Sequence, residues 1–107
     1  MPVSALLALA ITAEVAATIS LRYADGFTKL VPSLVVVAGY ATSFWLLSRI
    51  LRELSVGTTY AIWAGAGTAA VVLIGIVALG EPATALKLAS IALIVAGVIG
   101  LNLSGVH

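Results

Sequence analysis

Residues 3–21 read VSALLALAITAEVAATISL, an apolar run with a single charged side chain, Glu14, near its middle. As a helix, the run is long enough to cross most of the roughly 30 Å hydrocarbon core of a bilayer. A carboxylate at that depth costs about 3 kcal/mol or more to insert, and intramembrane acids usually mark ion or substrate routes. Glu14 is therefore the first candidate functional residue. The alternative is a structural acid that is hydrogen-bonded to another helix.

The composition of the whole chain is that of an integral membrane protein. Of its 107 residues, 63% are hydrophobic and 8% are charged, against about 25% charged in soluble domains. The net charge of +1 suggests no nucleic-acid partner, and the absence of cysteine excludes thiolate metal sites. There is no metal-ligand cluster, nucleophile–base pair or phosphate loop, and His107 reads as a solvated tail residue. We therefore expect no metal, no cofactor and no enzymatic activity.

Four apolar stretches predict four membrane-spanning helices in a single domain, residues 1–107. They cover about residues 3–21, 31–48, 56–79 and 84–103, with turn signals such as Gly26, Gly80 and Pro82 between them. Because lipid cannot satisfy backbone polar groups, each stretch must be a helix or a barrel strand. Their length and lack of alternation favour helices. Short loops then predict an all-α, up-down-up-down bundle.

The positive charges are nearly balanced between the two predicted sides of the membrane. Arg22, Lys29 and Lys87 belong to one side, and Arg49 and Arg52 to the other. An excess of Lys and Arg on the cytoplasmic side normally fixes orientation. Two interpretations stay open: weak effects select one orientation, or the chain inserts both ways and pairs with an inverted copy of itself.

The side chains three, four and seven residues from Glu14 share its helix face. They are Leu7, Ala10, Ile11, Ala17, Thr18 and Leu21. The small side chains of Ala10 and Ala17 are expected to leave space beside the carboxylate, while Thr18 offers a hydroxyl group.

Aromatic residues lie on one face of both the second and the third predicted helix. The residues concerned are Tyr40, Ser43, Phe44 and Leu47 in the second helix, and Tyr60, Trp63 and Gly67 in the third. Near a buried carboxylate they would form an aromatic, anionic pocket for a lipophilic cation, since a good cation–π contact contributes about 0.5–2 kcal/mol. Ordinary aromatic packing is the alternative, with Tyr60 in an interfacial belt.

Small residues in the last two predicted helices indicate motion or close packing. Gly65 and Gly67 lower local helix stability and remove bulk, so they predict either a hinge for alternating access or tight helix packing. In the fourth helix two stripes of small residues let another helix approach closely. The stripes are Ala83, Ser90, Gly97 and Ser104, and Ala85, Ala89, Ala92 and Ala96. We interpret this helix as a dimerisation helix, set apart from any substrate chamber.

An ordered set of motifs along essentially the full chain resembles the small multidrug resistance transporters. The motifs are Ala13-Glu14-Val15 with Thr18, Gly26-Phe27-Thr28, Pro32-Ser33, Tyr40 with Ser43-Phe44-Trp45, and Tyr60-Ala61-Ile62-Trp63 with Gly65 and Gly67. The resemblance implies a four-helix subunit of the cell membrane, an antiparallel homodimer, and exchange of protons for small organic cations. It also implies that Glu14 binds proton and drug in turn and that Tyr40, Tyr60 and Trp63 help to form the binding chamber.

Within that family the chain resembles the quaternary-ammonium, multidrug branch. The guanidinium-exporter branch typically has a Trp at the position of Ala17, and Tyr40 and Phe44 fit the multidrug branch. Two residues depart from that pattern, since Ser4 stands where a Tyr is frequent and Ser90 stands for a Gly of the dimer helix. Residues 80–97 also resemble the guanidinium branch. The alternatives are therefore a guanidinium exporter, a heterodimer with a paralogue, or a non-transporting accessory subunit.

Overall fold

The computed structural model describes residues 2–104 and contains four α-helices, with no strand in that range. They are α1 (Val3–Tyr23), α2 (Leu30–Ile50), α3 (Val56–Ala78) and α4 (Ala85–Leu103). Each is long and apolar enough to cross a membrane, with mean hydropathy between 1.8 and 2.1. The prediction of an all-helical protein with four long apolar helices is confirmed. His107 lies outside the described residues.

The helix ends follow from local sequence. Ser55 and Thr84 are N-caps whose hydroxyl groups accept hydrogen bonds from the backbone N–H groups of Thr58 and Lys87, which satisfies donors that a helix start leaves without partners. Gly80 follows α3 with a φ of +70°, a left-handed conformation that glycine adopts without strain. These residues separate α3 from its neighbours on both sides.

The turn between α1 and α2 contains three consecutive residues with positive φ angles. Asp25, Gly26 and Phe27 all have positive φ angles, of 49°, 67° and 67°. The Ala24 carbonyl accepts hydrogen bonds from the N–H groups of Thr28 and Lys29 at 2.9 and 3.1 Å. These bonds hold two non-glycine residues in a conformation that side chains rarely adopt, and they start α2 at Leu30.

The chain divides into two compact units, Met1–Glu53 and Leu54–His107. The first is a hairpin of α1 and α2. Ser43 of α2 contacts Ala10 of α1, whereas Gly39, earlier in α2, lies against Ala17, later in α1. The two helices therefore run antiparallel. The buried face of α2 consists of Val36, Ser43, Leu46, Leu47 and Ile50.

The second unit is a hairpin of α3 and α4. A Cβ placed on Gly65 of α3 would lie 2.9 Å from the Cγ2 of Val98 and 3.6 Å from that of Ile94, both in α4. Together with the buried Ile91, these residues recur every three to four positions, so one face of α4 packs on α3. All members of the two predicted small-residue stripes are exposed in this single chain. The first stripe is shorter than predicted, because Ala83 lies before α4 and Ser104 is the C-cap, which leaves Ser90 and Gly97 within the helix.

Candidate functional site

Glu14 lies in the interior of α1 and is partly buried. Its Oε2 atom is fully buried and has no hydrogen-bond partner among residues 2–104. Buried polar atoms in proteins are nearly always hydrogen-bonded, because an unpaired one costs free energy. A carboxylate oxygen in this position is suited to hold a proton or to face a cation that comes from outside the chain.

A polar pair lies one helical turn from Glu14. The hydroxyl groups of Thr18 and Tyr40 share a hydrogen bond of 2.6 Å. The Tyr40 and Phe44 rings are stacked, with their centroids 6.4 Å apart and an interplanar angle of 27°. The structure therefore brings together, on the first hairpin, the hydroxyl predicted beside Glu14 and two of the predicted aromatic residues.

Two small residues of α1 let the backbone of α2 pack closely against it. Ala10 and Ala17 are fully buried, and the Ser43 Oγ donates a hydrogen bond of 2.7 Å to the Ala10 carbonyl oxygen. A Cβ placed on Gly39 would lie 2.8 Å from the Ala17 Cβ and 3.0 Å from the Ala13 carbonyl oxygen. On the side facing α2, the room that the two alanines were expected to leave is thus taken by Gly39 and Ser43. Of the three large residues predicted on this face, Leu7 and Ile11 are partly exposed and Leu21 is exposed.

Gly39 was absent from the predicted site residues, although it brings α1 and α2 together next to Glu14. A signal for it exists in the sequence. Gly39 and Ser43 are small residues four positions apart in a predicted membrane helix, the spacing at which two helices approach each other closely.

The third group of predicted residues lies together on α3, in the second unit. The Tyr60 and Trp63 rings are 5.7 Å apart between centroids and are tilted by 54°. Trp63 is buried, with 9% of its surface exposed, whereas Tyr60 is 63% exposed. Gly65 packs against α4, Gly67 is buried, and α3 is continuous through both glycines. Close packing is thus present at Gly65, and the hinge stays a prediction.

Residues 2–104 contain no cluster of three or more His, Cys, Asp or Glu side chains that could hold a metal ion. The chemical groups of the site are instead one intramembrane carboxylate, several hydroxyl groups and aromatic rings. Four long apolar helices with a carboxylate inside the first one define a multi-pass membrane protein with a polar intramembrane site.

Comparison with known proteins identifies the family. The family model described as "Small Multidrug Resistance protein" matches residues 4–94. The chain belongs to this family of membrane transporters, as its motifs predicted.

Individual relatives carry two different names. The chain is 47% identical over 91 residues to the "Guanidinium exporter" of Salmonella typhimurium. The aligned region covers 85% of this chain and 87% of that protein. It is 46% identical, at the same coverage, to the "Guanidinium exporter" of Escherichia coli (strain K12). It is also 46% identical over 99 residues to the "Multidrug resistance protein mmr" of Mycobacterium leprae, with 92% of each chain covered.

Proposed function

We propose that this protein is an antiporter that exports lipophilic organic cations, such as quaternary ammonium compounds, in exchange for protons. The observation that carries the proposal is the Oε2 atom of Glu14, which is buried inside a membrane helix without a hydrogen-bond donor among the described residues. Such an atom can bind a proton or face a cation, but a single carboxylate cannot do both at once. Competition between the two couples their movements.

We assign roles in substrate binding to the hydroxyl and aromatic residues of the site. Thr18 and Tyr40, which are hydrogen-bonded to each other, fix one hydroxyl-lined wall of the site. Phe44 is 57% exposed and supplies aromatic surface. As the family resemblance implies, we assign to Tyr60 and Trp63 a share of the aromatic surface that binds the substrate.

The multidrug branch is supported by the position of Ala17. This residue is fully buried against Gly39, with no space for a larger side chain on that side. A guanidinium ion is planar and needs several aligned acceptors, whereas the first hairpin offers one carboxylate, aromatic rings, and hydroxyl groups of Thr18, Tyr40 and Ser43 that are already hydrogen-bonded within the hairpin. Guanidinium export is the second candidate, because relatives of that name are as similar to this chain as the multidrug one.

For the assembly we propose an antiparallel homodimer in the cell membrane. Many transporters use inverted repeats for alternating access, and two oppositely inserted copies would supply that arrangement. The exposed Ser90 and Gly97 of α4, with Ser104 at its C-cap, offer a surface for close approach between copies. A heterodimer with a paralogue would use the same surface. A non-transporting accessory role has lost its support, because the family is one of transporters.

Transport in liposomes tests the proposed role of Glu14. We expect a pH gradient to drive uptake of tetraphenylphosphonium by the wild type and expect Glu14→Gln to abolish it. Asp25→Asn is the matched control: it also neutralises one acid, but in the loop between α1 and α2, where Asn tolerates the positive φ. Wild-type transport by Glu14→Gln would refute the mechanism.

The same preparation separates the two candidate substrates. We expect larger pH-driven currents with tetraphenylphosphonium than with guanidinium. A large guanidinium current without any response to bulky cations would assign the chain to guanidinium export instead.

A further inference from the structure

A cavity lies on the first hairpin, and Glu14 is not among the residues that line it. Its volume is about 600 Å³. Leu6 and Leu9 of α1 and Trp45 and Leu46 of α2 form its apolar wall. Because α1 and α2 run antiparallel, this is the end of the hairpin where α1 begins and α2 ends, which is one boundary of the membrane.

Charged side chains form the rest of the cavity wall. They are Arg49, in the last turn of α2, and Arg52 and Glu53, which follow the helix. The Arg52 N–H donates to the Arg49 carbonyl at 3.2 Å, so the chain continues to turn and both arginines lie on one side. With two arginines and one glutamate, the cavity wall has a net charge of +1.

The polarity of the cavity changes with depth. Arg52 and Glu53 lie beyond the end of α2, whereas Leu9 lies six residues inside α1, roughly 9 Å along the helix axis. Trp45 lies one turn deeper than Arg49, and the guanidinium carbon of Arg49 is 5.2 Å from the centroid of its indole ring. This cation–π contact orients the guanidinium group, and Trp is a typical residue of the membrane interface.

The sign of the charge decides which ligand fits. An excess of arginine repels the organic cations proposed as substrates and favours an anion, for which guanidinium groups are good phosphate donors. The apolar wall below the arginines favours a ligand that also has a hydrocarbon part. An anionic phospholipid combines both features, since basic side chains at the membrane surface attract anionic headgroups.

We propose that this cavity binds an anionic phospholipid. The phosphate group lies between Arg49 and Arg52, and the upper part of one acyl chain lies along Leu6, Leu9 and Trp45. Glu53 opposes headgroup binding and limits its strength. The site shares none of its lining residues with the proposed substrate site, so the proposal does not depend on the role of Glu14.

The fluorescence of Trp45 tests this proposal directly. In the Trp63→Phe variant, Trp45 is the single tryptophan of the chain. The variant is placed in phosphatidylcholine liposomes that contain a minor fraction of phosphatidylglycerol, and only one of the two lipids carries bromine on its acyl chains. At equal fractions of brominated lipid, we expect brominated phosphatidylglycerol to lie next to Trp45 about fivefold more often than brominated phosphatidylcholine. The factor follows from the net charge of +1 on the cavity wall, which attracts the anionic headgroup.

Charge variants in this background sharpen the test. Arg49→Gln combined with Arg52→Gln leaves a net charge of −1 at the cavity and should abolish the preference for phosphatidylglycerol or turn it against this lipid. Glu53→Gln gives a net charge of +2 and should raise the preference above the wild-type value. Arg22→Gln removes a basic residue from the last turn of α1, at the other end of the hairpin, and should leave the preference unchanged. The gain expected from Glu53→Gln keeps the test valid if the double variant folds poorly.

Three results would overturn the proposal. Equal quenching by the two brominated lipids would show that the arginines select no headgroup. Loss of the preference on addition of inorganic phosphate would indicate an anion site that needs no lipid. Absence of quenching by either lipid would mean that protein, such as a second copy of the chain, covers Trp45.

Discussion

The two hairpins of this protein are held together by different means. In α1–α2, polar groups pair across the interface: Ser43 binds the Ala10 carbonyl, and Thr18 pairs with Tyr40. In α3–α4, the methyl groups of Val98 and Ile94 lie over Gly65. Interhelical hydrogen bonds fix the register of two membrane helices, whereas methyl groups can repack. The hairpin with the carboxylate is thus the one whose register is set by specific bonds.

The two hairpins also place their small residues differently. The first has two fully buried small residues, Ala10 and Ala17, and the partly buried Gly39 lies against Ala17. The second leaves the small stripes of α4 exposed. Small residues in a membrane helix mark close approach. In the proposed dimer, those of the first hairpin would pack its own helices together beside Glu14, and those of α4 would meet a second copy.

The largest effect is expected from bulk on the exposed stripe of α4. Gly97→Leu should abolish dimer formation and transport together, because a leucine would hold a second helix away from the backbone. Leu88→Phe, which adds bulk on the opposite side of α4 by the angle of 100° per residue, is the control and should remain dimeric. Crosslinking in liposomes and uptake of tetraphenylphosphonium measure the two properties. A dimeric, active Gly97→Leu variant would place the interface elsewhere.

Bulk between α1 and α2 should have the next largest effect. Gly39→Ala puts a Cβ 2.8 Å from that of Ala17 and 3.0 Å from a backbone oxygen, so the helices must separate. We expect a loss of about 1–3 kcal/mol in the free energy of unfolding, measured in mixed micelles, together with reduced transport. Gly57→Ala is the control, because a Cβ there meets nothing within 4 Å. Equal free energies of unfolding for the two variants would show that the close approach at Gly39 does not contribute to stability.

The same substitution in the second hairpin should cost less. Gly65→Ala meets the Cγ2 of Val98 at 2.9 Å, a methyl group that can shift, and alanine favours helix by up to about 1 kcal/mol over glycine. We therefore expect a change in stability of about 1 kcal/mol or less. Transport then separates the two interpretations of this glycine. A stable variant with slow transport supports a hinge, and a stable variant with normal transport supports packing alone.

The number and type of elements could be predicted from the sequence, because a membrane helix is recognised by the length and apolar composition of its segment. It also singled out Glu14, since an acid inside an apolar run is conspicuous. The interface at Gly39 was missed. The spacing of Gly39 and Ser43 indicates close approach to some helix, but it does not say which helix that is. The hydrogen bond between Thr18 and Tyr40 could not be predicted either, because helix periodicity fixes the face of a residue but not the register between two helices.

The smallest effect concerns the two hydrogen bonds that set this register. Ser43→Ala removes the bond to the Ala10 carbonyl, and Thr18→Val removes the bond to Tyr40. Bonds between membrane helices contribute on average about 0.6 kcal/mol and at most about 1.7 kcal/mol, so each variant should fold. If these bonds hold the site in register, the double variant should bind tetraphenylphosphonium more weakly than its stability loss explains. Ser48→Ala is the control, because the Ser48 hydroxyl donates a hydrogen bond within α2, to the Trp45 carbonyl. Unchanged affinity in the double variant would mean that packing at Gly39 alone positions Glu14.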